Sequence, residues 1–115
     1  VIHLYGIPNC DTVKKARTWL DQNGREYTFH DYKKESADPE RIAGWIAAAG
    51  LDLVVNRKGT TFRALSDADK ARAADAATAP ALLAANPSVI KRPIVEHAGG
   101  LLVGFKADDW AAALG

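Results

Sequence analysis

Residues 2–16 read Ile2-His3-Leu4-Tyr5-Gly6-Ile7-Pro8-Asn9-Cys10-Asp11-Thr12-Val13-Lys14-Lys15-Ala16, and this stretch decides the fold. Ile2 to Tyr5 is a short alternating run of β-branched and aromatic residues, which predicts a strand. Gly6-Ile7-Pro8-Asn9 is turn chemistry. Val13, Ala16, Arg17 and Leu20 then fall at the spacing of one helical face, and Asn23-Gly24 ends the pattern. Tyr27-Thr28-Phe29-His30-Asp31-Tyr32 alternates again and predicts a second strand. Strand, helix and strand within about 30 residues predict a βαβ unit with a parallel pair.

Further along, Asp38-Pro39-Glu40 is a helix start, with an N-cap acid and proline at the first helical position. Ile42, Trp45, Ile46 and Ala49 give that helix an apolar face, and Gly50 is a natural C-cap. Leu51 to Val55 is a short apolar stretch, and Asn56-Arg57-Lys58-Gly59-Thr60-Thr61 reads as a polar, basic loop. Of the 22 alanines in the chain, 11 lie between Ala64 and Ala85, which predicts one or two closely packed helices. Asp67-Ala68-Asp69-Lys70 marks a helix N-terminus, Pro80 is read as separating a short helix Ala81 to Ala85, and Asn86-Pro87 stops it. Ile94-Val95-Glu96-His97 and Leu101-Leu102-Val103-Gly104 flank Ala98-Gly99-Gly100, a hairpin signal. Ala107-Asp108-Asp109 opens a last helix carrying Trp110, Ala113 and Leu114. The string is β-α-β, a helical middle at about 39–86, then β-β-α. The expectation is one α/β domain over 1–115 with a helical insertion.

Bulk properties narrow the function. The chain has 115 residues, 48% hydrophobic and 25% charged, which suits one globular domain with its own core. Fifteen Lys and Arg against 14 Asp and Glu leave a net charge of +1, too balanced to suggest direct nucleic-acid or membrane-surface binding. No apolar run approaches the roughly 18 residues of a membrane span, and the opening lacks the basic-then-apolar pattern of a signal peptide. The single cysteine, Cys10, excludes an internal disulfide, a CxxC pair and a multi-cysteine zinc site within these residues, and points to a reducing, cytoplasmic setting.

The candidate chemistry starts at Cys10. A lone cysteine can be an inert buried residue. This one follows a strand and turn and immediately precedes a helix, where free N–H groups and the positive helix end favour a thiolate or hold an oxyanion. Lys14, Lys15 and Arg17 add positive charge, while Asp11 opposes it unless its carboxylate turns away to cap the helix. Arg92 precedes Pro93, so it is extended; it reads either as a fork for an oxyanion or carboxylate or as a surface arginine beside a turn. Arg57, Lys58 and Arg63 form a second basic cluster, or a solvated loop. His3, His30 and His97 are scattered, so no metal is expected, and no glycine-rich phosphate loop is present.

The 2–16 stretch resembles the opening of the arsenate reductase (ArsC)-like family, and within it the YffB branch, which is related to the Spx transcription regulators. The match continues through Phe29-His30-Asp31-Tyr32-Lys33, Asn56-Arg57-Lys58-Gly59-Thr60-Thr61-Phe62-Arg63 and Arg92-Pro93-Ile94-Val95. The resemblance implies a thioredoxin-like fold with a helical insertion between its halves, and a cis Pro93 facing the Cys10 loop. It implies that Cys10 is the redox nucleophile and that Arg57 and Arg92 bind an oxyanion. Asn9, Asp11, Thr12, Lys14 and Pro93 complete the set expected around an oxyanion or glutathione.

Two departures matter. The family's arsenate reductases use a third arginine, at a position that falls here on Phe105, which argues against arsenate as the substrate. Some Spx relatives carry a CxxC switch, whereas Val13 stands three residues beyond Cys10 here. An adduct on Cys10 therefore needs an external thiol to resolve it, and glutathione is the expected co-substrate, with no tightly bound cofactor. Its carboxylates suit Arg57 and Arg92. The alternatives are an Spx-like protein that binds RNA polymerase without turnover, and a true arsenate reductase dependent on glutathione and glutaredoxin.

Overall fold

The computed structural model describes residues 2–32, 34–35 and 38–114; Lys33, quoted above beside the second strand, lies outside them, as do both ends of the 1–115 span. The chain divides into two compact units, Val1–Glu35 with Arg92–Gly115, and Ser36–Lys91.

The first unit is built on β1 (His3–Gly6), α1 (Asp11–Gln22) and β2 (Thr28–Asp31), followed late in the chain by β3 (Ile94–His97), β4 (Gly100–Val103) and α7 (Ala107–Leu114). The four strands form one sheet in the order β2-β1-β3-β4. β1 runs parallel to β2, while β1–β3 and β3–β4 are antiparallel. Together with its helices this is the thioredoxin-like arrangement. Strand alternation sends Leu4 and Val95 to one face, where they are buried with Val13, Ala16 and Leu20 of α1 and Trp110 of α7. Phe29, Leu102, Phe105 and Leu114 pack against that cluster. Gly6 allows the helix to approach closely, because a Cβ there would lie 2.8 Å from Val13 Cγ2. The hairpin turn is Ala98-Gly99 alone, since His97 pairs with Gly100, so β4 begins one residue earlier than its apolar residues suggest.

The second unit is helical: α2 (Pro39–Ala49), α3 (Leu51–Val54), α4 (Thr60–Arg63), α5 (Asp67–Ala73) and α6 (Ala79–Ala85), with a 3₁₀ turn at Pro87–Val89. Asp38 caps α2 by accepting from Glu40 N–H at 3.0 Å, and Ser66 caps α5 by accepting from Asp69 N–H at 3.1 Å. Gly50, at φ +94°, closes α2 and donates its N–H to Ile46 O. α2 and α5 both pack against α6, burying Ile42, Trp45, Ile46, Ala73, Ala79, Leu82 and Leu83. Two details depart from the sequence reading. Pro80 lies inside the first turn of α6 rather than ahead of it, a place where no N–H partner is lost. The basic loop ends at Gly59, and Thr60–Arg63 is a single helical turn whose composition carries no periodic signal. Val55 pairs with Ile90 in an isolated antiparallel bridge, with Asn56 N–H bonded to Val89 O and Lys91 N–H to Val54 O.

Candidate functional site

Cys10 occupies the N-cap of α1, with extended backbone at φ −90° and ψ 126°. Its side chain is a free thiol, half-buried, and makes no capping hydrogen bond. Cys10 N–H donates to Ile7 O at 3.2 Å and Cys10 O accepts Lys14 N–H at 2.9 Å, which ties the loop to the first turn. The N–H groups of Asp11, Thr12 and Val13 precede that first helical bond and have no partner within the helix. They belong to the turn that Cys10 caps, at the positive end of a 12-residue helix. Such an end accommodates a negative sulfur or a bound oxyanion. Asp11 is the first helical residue rather than the cap, and its side chain is exposed. Asn9, Thr12, Lys14 and Lys15 are exposed around the same junction.

The Arg92-Pro93 bond is cis. Pro93 is buried, Arg92 is half-buried, and Pro93 O accepts Gly104 N–H at 2.8 Å. Tyr5 pairs with Ile94 in the antiparallel β1–β3 ladder, so the end of β1 and the entry of β3 lie at one end of the sheet. The Cys10 loop leaves from that end. The fold thus gathers Asn9, Cys10, Asp11, Thr12 and Lys14 at one junction and brings Arg92 and Pro93 to the same end of the sheet. Arg57 belongs to the second unit, where its Nη1 donates to Asp52 Oδ1 at 2.8 Å and its side chain remains 41% exposed.

Phe105, at the position where the resemblance leads one to look for a third arginine, is half-buried against Trp110, with ring centroids 4.9 Å apart and edge to face. Trp110 Nε1–H donates to Gly104 O at 3.1 Å, which holds that corner together. Lys106, its neighbour, is exposed.

Sequence reasoning passed over the sheet face away from α1. There His3 Nδ1 lies 2.9 Å from His30 Nε2, and His30 Nδ1 lies 3.2 Å from Glu35 Oε1. Tyr5 stacks on His30 at 4.5 Å and donates its hydroxyl to Glu96 Oε1 at 2.9 Å. Tyr32 is buried with its hydroxyl unpartnered. The alternation of His3, Tyr5 and His30 carried this signal, but only the parallel register puts the three rings on one face. Among the described residues no group of three or more His, Cys, Asp or Glu side chains is placed to hold a metal ion, and no helix is long and apolar enough to cross a membrane.

Comparison with known proteins adds to this geometry. The model of the ArsC family matches residues 5–113. The YFFB (PA3664) protein, a solved structure, is 53% identical and superposes with a TM-score of 0.95 over the whole of both chains. An arsenate reductase (ArsC) related protein from Brucella melitensis is 47% identical with a TM-score of 0.74, over 96% of this chain and 92% of that one. An uncharacterized protein of Haemophilus influenzae is 41% identical over 98% of both chains. The global transcriptional regulator Spx of Listeria innocua is 26% identical over 95% of this chain and 83% of its own length.

Proposed function

Because the chain belongs to the ArsC family, we propose that it is a thiol oxidoreductase that uses Cys10 as its nucleophile and glutathione as the external thiol. One observation carries this reading: the only cysteine of the sequence sits free and half-buried at the start of a long helix. The Cys10 thiolate attacks one sulfur of a disulfide; the Cys10–S bond forms, the S–S bond breaks, and the other sulfur leaves with the electron pair. A glutathione thiolate then attacks the substrate sulfur of the mixed disulfide, which returns Cys10 as thiolate. A second glutathione releases the substrate thiol and departs as oxidised glutathione, so two glutathiones supply the two electrons. Arg92 offers a planar fork for a glutathione carboxylate. The chemistry suits a reducing compartment such as the cytoplasm.

The test is mass spectrometry after incubation with oxidised glutathione. The expected product carries one glutathionyl group on Cys10, reversed by reduced glutathione and absent in Cys10→Ser. Arg92→Ala should slow its formation about tenfold, the effect of losing roughly one charge-assisted contact. A thiol that stays unmodified overturns the reading.

The Spx relatives favour a second reading, in which the protein contacts RNA polymerase without turnover. Specific capture of polymerase by a protein whose Cys10 forms no glutathione adduct would establish it. Arsenate reduction with glutathione and glutaredoxin is the third reading, and Phe105 packed against Trp110 weighs against it because no guanidinium is supplied there.

A further inference from the structure

We propose that His3, His30 and Glu35 form a proton-counting clasp, a hydrogen-bonded chain that holds β1, β2 and the turn after β2 together at neutral pH and opens in acid. The argument is one of donors and acceptors. A carboxylate accepts only, so the Glu35 contact at 3.2 Å requires a hydrogen on His30 Nδ1. With His30 neutral, its Nε2 is an acceptor and His3 Nδ1–H donates across the 2.9 Å gap. With one extra proton, His30 Nε2–H donates instead and His3 Nδ1 accepts, its hydrogen moving to Nε2. Both states keep every contact. A second extra proton leaves N–H facing N–H across the same gap, and the chain must break there.

Carboxylates and a ring flank this chain of contacts. Glu35 lies at one end of the chain. Glu96 pairs in register with His3 and so shares its face, with one oxygen held by the Tyr5 hydroxyl. Tyr5 covers His30 with its ring at 4.5 Å and 14°. Tyr32, one residue past β2, is buried and stays a neutral phenol, with Tyr5, Arg92 and Glu96 as its own ionisable neighbours. Both rings sit on paired strands, so the gap is fixed by the β1–β2 register rather than by flexible chain. Glu35 is further anchored by its own N–H, which donates to Asp31 O at 2.8 Å.

Two measurements test the clasp. In the wild-type chain, ¹⁵N imidazole spectra near neutral pH should show a hydrogen on His30 Nδ1, and a coupling across the hydrogen bond between His3 Nδ1 and His30 Nε2. Urea unfolding should place the wild-type midpoint about 0.5 M above that of His3→Ala at pH near 7.5, and the gap should close or reverse near pH 5. A gap that is the same at both pH values, or a His30 Nδ1 without hydrogen at neutral pH, overturns the proposal. The spectrum needs no variant, so a His3→Ala chain that fails to fold leaves the test intact.

Discussion

The hydroxyl of Tyr32 is buried without a hydrogen-bond partner, and burial pushes its ionisation well above the ordinary tyrosine range. Tyr5 adds to the shift, Arg92 acts against it and Glu96 adds a little. The pH consequence follows from proton counting. As pH rises through the ordinary tyrosine value of about 10, the unfolded chain gives up this proton and the folded chain keeps it. The unfolded state then binds fewer protons, so stability falls with rising pH. Tyr32→Phe removes an unsatisfied hydroxyl, and the variant should match or exceed the wild type in urea by up to about 1 kcal/mol near pH 7. Its advantage should widen above about pH 10, and a constant advantage across that range would contradict the burial argument. Cys10 differs in kind: its importance comes from where the backbone sets it, at the end of a helix whose first amides have no partner.

At the scale of elements, the caps do local work that can be measured. Asp38 closes the start of α2 with one side-chain bond, and Ser66 does the same for α5. Asp38→Ala and Ser66→Ala should each cost about 1 kcal/mol in urea unfolding, roughly additively, because they cap different helices. The Asp38 cap was legible in the sequence, as were β1, α1, β2 and the β3–β4 hairpin, because each follows from local chemistry: a period, a cap, a turn pair. For α5 the sequence marked the start at Asp67, and the Ser66 cap emerged only from the structure. The Cys10 half of the candidate site was legible for the same reason. The cis form of Pro93 came through resemblance, since local sequence does not choose an isomer. Pro80 misled because proline marks both a break and a first turn. The His3–His30 contact was invisible because it depends on strand register, which no window of a single strand contains.

For the molecule as a whole, one thiol per chain sets a strict stoichiometry. Mild oxidation without any small thiol can join two chains through Cys10 and can go no further. A non-reducing gel should therefore show a species at twice the 12.3 kDa chain mass, nothing larger, and neither in Cys10→Ser. A ladder of larger species would mean chemistry beyond this sulfur. The chain also returns to its first unit after an excursion of more than fifty residues, with β3 sitting between β1 and β4 in the sheet. During synthesis, β1 and β2 leave the ribosome more than fifty residues before the strand that covers the other side of β1, which arrives only with residues 94–97. The helical middle can form while that edge still waits. The thiol is thus made well before its surroundings are finished. A ribosome stalled anywhere in the helical middle would hold a nascent chain whose cysteine lacks its final neighbours.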